Sequence, residues 1–207
     1  MTNLVTSLLP RSHTATRLGL VALGVGLLAL SARVQVPFWP VPMTLQTMAV
    51  LLIGAAYGFR LGTATVASYL ALGALGLPLF AHGGGLIHLV GPTGGYLAGF
   101  LAAAAAMGAL ADRGFGRTPV SGLALFGLGE VIIFALGAGW LSHLIGPAKA
   151  WAAGVVPFMP GEVLKMALAA TLTVLAWKRG LMLTFPGQAR CSADVRDSHG
   201  VESRNGP

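Results

Sequence analysis

Apolar residues run along this chain in long blocks, broken only by short clusters of charge, proline and glycine. The first block spans about 16–33 and ends at Arg33. It is followed by "QVPFWPVPM" (35–43), whose three prolines cannot continue a helix, because each lacks an N–H and restricts the residue before it. A second block spans about 44–58 and ends near Arg60. From Leu61 to Ala111 there is no Asp, Glu, Lys or Arg, a stretch far too long for one membrane crossing of roughly 20 residues. The Gly-rich connection "GLPLFAHGGGLIHLVGPTGG" (76–95) interrupts it, so it divides into spans at about 61–76 and 94–111. "DRGFGRTP" (112–119) is a loop before a span at about 120–141, and "GPAKAWAAGVVPFMP" (146–160) leads into the last, at about 161–178.

The pattern predicts an all-α integral membrane bundle of six transmembrane helices in one unit, residues 1–180, with a polar tail, 181–207, expected to be disordered. Composition agrees: 55% of residues are hydrophobic and 9% charged, where a soluble domain carries about 25% charged residues. The net charge of +7 would point to nucleic acid in a soluble protein. Here the basic residues lie in short runs between apolar blocks, where they act as topology signals, and no nucleic-acid partner is expected. With the N-terminus inside, Arg11, Arg17, Arg60, Arg113, Arg117, Lys178, Arg179, Arg190, Arg196 and Arg204 face the cytoplasm, against Arg33 and Lys149 outside, Lys165 being set aside. That asymmetry predicts N-in/C-in and a multi-pass protein of the cell membrane, and it puts the Pro-rich segment, the Gly-rich connection and the start of the last span on the external side. No small-residue cleavage pattern follows the first block, which reads as an anchor and not a removed signal. Cys191, the only cysteine, permits no intrachain disulfide.

Candidate chemistry is sparse. Glu162 and Lys165, three apart, share a helix face just after Pro160-Gly161. They form either an interfacial ion pair or the polar wall of a cavity, where an acceptor beside a donor would suit a neutral ligand offering N–H groups and a carbonyl on one edge. Glu130, midway along its span, is structural or belongs to a ligand or ion pathway. His82 and His88 have no acidic or Cys partner at metal-ligand spacing, and no metal is expected. "GPTGG" lacks the lysine of a phosphate loop, and no Walker motif occurs, so ATP hydrolysis by that route would need a partner. The loop glycines, Gly84 among them, serve either tight packing or close approach to a ligand. Ala15, Gly19, Ala22, Gly26 and Ala29 form a stripe of small residues on the first span, for packing within the bundle or docking onto another membrane subunit.

"VPFWPVPMTLQT" (36–47), "GLPLFAHGGG" (76–85), "GPTGGYLAGF" (91–100) and "PFMPGEVLK" (157–165), in this order, resemble the BioY family of biotin-binding S components of energy-coupling factor (ECF) transporters. The resemblance covers about residues 17–180. It implies capture of biotin from outside and delivery inward, in many cases with a transmembrane coupling subunit and paired ABC-type ATPases, in contact with membrane lipid and without a cofactor. The family's Asp-x-x-Lys matches Glu162 and Lys165, which would hold the ureido ring, with Glu where Asp is usual. The Gly-rich loop, including Gly84, would form a gate and part of the pocket, with Phe80, His82 and Tyr96 as candidates. Gly19, Ala22, Gly26 and Ala29 are candidates for docking the coupling subunit. No Arg or Lys lies between Gly83 and Ala111 to meet the biotin carboxylate, which leaves His82, Lys149 or backbone N–H groups. An S component for another vitamin is the alternative. An intramembrane enzyme is a third reading, although neither a Gly-x-Ser-x-Gly element nor an acidic metal cluster is found.

Overall fold

The computed structural model describes residues 14–37 and 39–184, with side chains through Ala176; residues 185–207, most of the predicted tail, lie outside the described residues. The chain forms α1 (Thr14–Arg33), the two-residue strands β1 (Gln35–Val36) and β2 (Met43–Thr44), α2 (Gln46–Ala74), α3 (Ile87–Val90), α4 (Gly94–Asp112), α5 (Pro119–Ile145), α6 (Pro147–Gly154) and α7 (Met159–Thr184). Five of these, α1, α2, α4, α5 and α7, are long and apolar enough to cross a membrane. The three-proline segment is the link of a small antiparallel ribbon, β1 pairing β2 with Gln35 opposite Thr44.

The 29 residues of α2 are not one rod. Gly58 has φ 76° and ψ −176°, a conformation essentially confined to glycine. Gln46 Nε2 donates to Tyr69 Oη at 2.6 Å, whereas 23 residues of continuous helix would separate them by about 35 Å. The two arms of α2 therefore fold back on each other, and a side chain at Gly62 would lie 3.3 Å from the carbonyl oxygen of Ile53 on the other arm. The reversal falls at Gly58, the end of the second predicted block and two residues before Arg60. Asp112 at the end of α4 accepts from the Phe59 N–H at 3.2 Å, satisfying one of the orphan donors at the start of the second arm.

Small residues set how closely the helices approach. A Cβ at Gly108 of α4 would meet the Gly58 carbonyl carbon at 2.6 Å, one at Gly54 the Ala104 Cα at 3.4 Å, and one at Gly99 the Ile133 Cα at 2.9 Å. Lipid supplies no hydrophobic drive between helices, so backbone contact of this kind is how a membrane bundle gains dispersion energy. α4, wedged between α2 and α5, is the most buried of the five long helices. α1 packs on α2 through Gly24, Val25 and Leu28, and Tyr57 Oη donates to the Leu20 carbonyl at 3.2 Å. The Gly19, Ala22 and Gly26 face of α1 is exposed, Ala29 is half-buried, and nothing stands within 4 Å of a Cβ placed on Gly19 or Gly26.

The two kinds of glycine should separate experimentally. Gly58→Ala and Gly108→Ala should each cost about 1–3 kcal/mol, by backbone strain and by overpacking respectively. Gly26→Ala should be neutral. Thermal unfolding of detergent-solubilised protein reads the difference, and equal melting of all three variants would count against the tight turn.

Candidate functional site

Three irregular segments gather at one end of the bundle: the ribbon (34–45), the Gly-rich connection (75–93) and the stretch from Gly146 to Phe158. The last folds back along α5. Phe158 packs edge-on against Phe134, ring centres 6.1 Å apart, and Phe134 lies 11 residues, about 16 Å, below the end of α5. Tyr96 Oη fastens this return by donating to the Gly154 carbonyl at 2.8 Å. α7 therefore starts inside the bundle, and its first turn carries Glu162. Non-helical backbone at such depth is tolerated where it is buried in protein or lines a cavity.

Glu162 and Lys165 are joined at 2.9 Å, and both are largely buried. Lys165 has three ammonium donors, and all three are met: Glu162 Oε1, the Thr44 carbonyl at 2.5 Å and Thr47 Oγ1 at 3.3 Å. Thr47 Oγ1 in turn donates to Glu162 Oε2 at 2.7 Å. The start of α2 thus completes the pair: Thr47 binds both partners and the Thr44 carbonyl takes a proton that Glu162 cannot reach. A second polar chain runs alongside. Gln46 donates to Tyr69, and Tyr69 Oη donates to the Leu79 carbonyl of the Gly-rich connection at 3.1 Å. Arg33 donates to the Pro78 carbonyl at 2.6 Å, and Trp140 Nε1 to the Gly91 carbonyl at 2.9 Å, so the connection is moored at several carbonyls.

These elements enclose a cavity of about 60 Å³, lined by Glu162, Phe80, His82 and Tyr96 from the sequence-predicted set. Lys165 stands one layer behind, bonded to Glu162. Gly84 is not among the lining residues; a Cβ there would strike the Leu77 carbonyl, so its place in the fold is a tight backbone contact. Sequence reasoning missed Gln46, Thr47, His88, Thr93 and Phe134, which also line the cavity, as does Phe158. Gln46 and Thr47 lie within "VPMTLQT", yet a Thr or Gln at a helix start carries no mark of its later partner. Phe80 sits over Gly73, where any side chain would collide with its ring, and meets Tyr69 and His88 edge-on at 5.5 and 5.6 Å.

Glu130 of α5 is 9% exposed, and neither carboxyl oxygen has a hydrogen-bond partner among the described residues. It floors an apolar groove of about 540 Å³ between α5 and α7, to which Glu162 also contributes and which Phe134 divides from the enclosed cavity. No group of three metal-ligating side chains occurs among the described residues.

Removing one member of a buried pair strands the other. Lys165→Met should destabilise the protein by about 3–5 kcal/mol, and the double variant Lys165→Met, Glu162→Leu by clearly less. Unfolding in a denaturing detergent measures both, and a double variant no better than the single would mean that the pair is not energetically coupled.

The model of the family described as BioY matches residues 2–181. A probable biotin transporter BioY of Pyrococcus horikoshii is 39% identical over 163 residues, covering 78% of this chain and 94% of the relative. A biotin transporter BioY of Thermotoga maritima is 42% identical over 152 residues, covering 72% and 88%. The crystal structure of an S-component for biotin from an ECF-type ABC transporter superposes with a TM-score of 0.72 at 24% identity, over 81% of this chain and 95% of that one, a likeness of fold.

Proposed function

We propose that this chain, which belongs to the BioY family, is a membrane substrate-capture component that binds biotin from the external side and delivers it inward. The observation that carries this reading is the floor of the cavity, a fully bonded Glu162–Lys165–Thr47 cluster beneath aromatic walls. Biotin has a flat ureido ring with two N–H donors and a carbonyl. Glu162 would accept from the ring N–H groups, while Lys165, one layer behind with its three donors engaged, supplies the compensating charge. Phe80 and Tyr96 would enclose the ring, His82 would stand at the mouth, and the Gly84 turn would shape the loop above. The matched relatives are transporters, which leaves the enzyme reading without support.

In this reading each arm of α2 crosses the membrane separately, giving six spans with both termini in the cytoplasm, and the three irregular segments open outward. The reversal at Gly58 and the ten-to-two distribution of basic residues support that topology. The chain would act with a transmembrane coupling subunit and ABC-type ATPases of an ECF module. The open Gly19, Ala22 and Gly26 face of α1, with Ala29 at its margin, favours the docking role over packing within the bundle.

Calorimetry with detergent-solubilised protein should detect submicromolar biotin binding without metal or nucleotide. Binding of another vitamin in its place would transfer the assignment to that ligand. Gly26→Leu should lower uptake in cells while the isolated protein still binds biotin, because the added bulk projects away from the bundle. Loss of binding along with uptake would place the stripe inside the fold.

The cavity is small beside the roughly 300–1,000 Å³ usual for a drug-sized ligand, so the roof must move to admit one. Hydrogen exchange at residues 83–90 should slow markedly on biotin binding while the middle of the first α2 arm is unchanged. Equal exchange with and without saturating biotin would sink the gate.

A further inference from the structure

A cyclic urea carries an N–H group on either side of one carbonyl oxygen, and in a closed site that oxygen needs a donor as much as the N–H groups need an acceptor. Glu162 supplies the acceptor, while the three donors of Lys165 are taken up by Glu162, Thr44 and Thr47. The donor must come from the other side chains around the cavity, and most of these are spent. Thr47 Oγ1 donates to Glu162 Oε2, Tyr96 Oη to the Gly154 carbonyl, Thr93 Oγ1 to the His88 carbonyl and Thr44 Oγ1 to Gln46 Oε1. His82 and His88 stand at the outer end, where the enclosed cavity meets an open cleft of about 480 Å³.

Gln46 is the exception. Its side-chain amide has two N–H donors, and among the described residues only one is used, on Tyr69 Oη at 2.6 Å. The neighbours fix which way the amide faces. Tyr69 Oη gives its own hydrogen to the Leu79 carbonyl and so must accept from Gln46. Thr44 Oγ1 accepts from the Gln46 backbone N–H at 3.3 Å and gives its hydrogen to Oε1. The amide nitrogen is therefore held at Tyr69 with one N–H left over, on a residue that is 4% exposed and lines the cavity. A buried donor without an acceptor is costly, and a ligand carbonyl would relieve it. Gln46 also directly precedes Thr47, whose hydroxyl is bonded to Glu162. Donor and acceptor thus stand close together, as the carbonyl and N–H of a cyclic urea do.

We propose that Gln46 is the donor to the ligand's ring carbonyl, and that through Tyr69 it ties occupation of the floor to closure of the roof. Tyr69 is a positioning residue: its hydroxyl accepts from Gln46 and holds Leu79 of the Gly-rich connection. A ligand that immobilises the Gln46 amide thereby steadies the loop above without touching it. The inference rests on the biotin reading and deepens it, since it assigns the carbonyl a partner and gives the gate a signal.

The test pairs a change in the ligand with changes in the protein. Biotin and its thiocarbonyl analogue, in which sulfur replaces the ring oxygen and accepts hydrogen bonds poorly, are titrated into the full-length wild type, Gln46→Met and Tyr69→Phe in detergent. The wild type should prefer biotin by about fivefold or more, the range of one buried hydrogen bond. In Gln46→Met the two ligands should bind within about twofold of each other, the signature of a coupled pair, and retained binding of the analogue shows that the variant is folded. Tyr69→Phe should keep the preference for biotin, yet lose at least half of the biotin-induced slowing of hydrogen exchange at residues 79–85. Full preference in Gln46→Met overturns the proposal, as does equal loss of both ligands, which would mark Gln46 as structural. Undiminished slowing in Tyr69→Phe overturns the link to the roof. A wild type that binds biotin and the analogue equally refutes the Gln46 contact and leaves the biotin reading standing, whereas a wild type that binds neither brings down both.

Discussion

An ammonium and a carboxylate held under cover in a membrane are stable only if each remaining donor and acceptor is met, because water is not there to meet it. Lys165 and Glu162 meet that condition through Thr44 and Thr47, residues more than a hundred positions away in the chain. Much of the outer architecture answers to this requirement. The β1–β2 ribbon brings Thr44 to the pair, α2 begins immediately after it, and the return of residues 146–158 lowers the first turn of α7 to the same level. A floor so completed is rigid, and rigidity is what gives a polar site its selectivity.

The roof is built on the opposite principle. Its moorings are backbone carbonyls held by single side chains, Arg33, Gln35, Tyr69 and Trp140, with a backbone bond from the Gly85 N–H to the Gly73 carbonyl of α2, and its interior turns rest on Gly83 and Gly85 at positive φ. Each such bond is worth about 0.5–1.5 kcal/mol, so the loop can be released in parts without unfolding the helices beneath. Gln46 belongs to both regions, since it lines the cavity and bonds the Tyr69 hydroxyl that holds Leu79.

What the sequence made legible was governed by local rules. Apolar blocks and punctuation located the helices, since span length is set by the bilayer, and the Glu162–Lys165 spacing alone brought those side chains to one face. The exposed Gly19, Ala22 and Gly26 stripe was readable from its period, but not its outward orientation, because period does not say which neighbour lies where. Thr47, Gln46 and His88 went unrecognised for a related reason. Their significance comes from contacts with residues distant in the chain. The second apolar block ends where the α2 reversal falls, at Gly58, because a glycine can take the turn and Arg60 stands just beyond it. Gly84 drew attention as one of a glycine run, and only the fold shows it pressed on the Leu77 carbonyl.

Glu130 has a bearing on how the protein is made. A charged side chain at the centre of a span raises the cost of insertion by about 2.5–3.5 kcal/mol, and α5, the most hydrophobic of the spans, has apolar residues enough to offset it. The groove above Glu130 is closed on one side by Glu162, Val163 and Met166 of α7, the last span to leave the ribosome. Until then the carboxyl lacks that wall. A nascent chain stalled or cleaved before α7 would leave this acid without the α7 side of its cover.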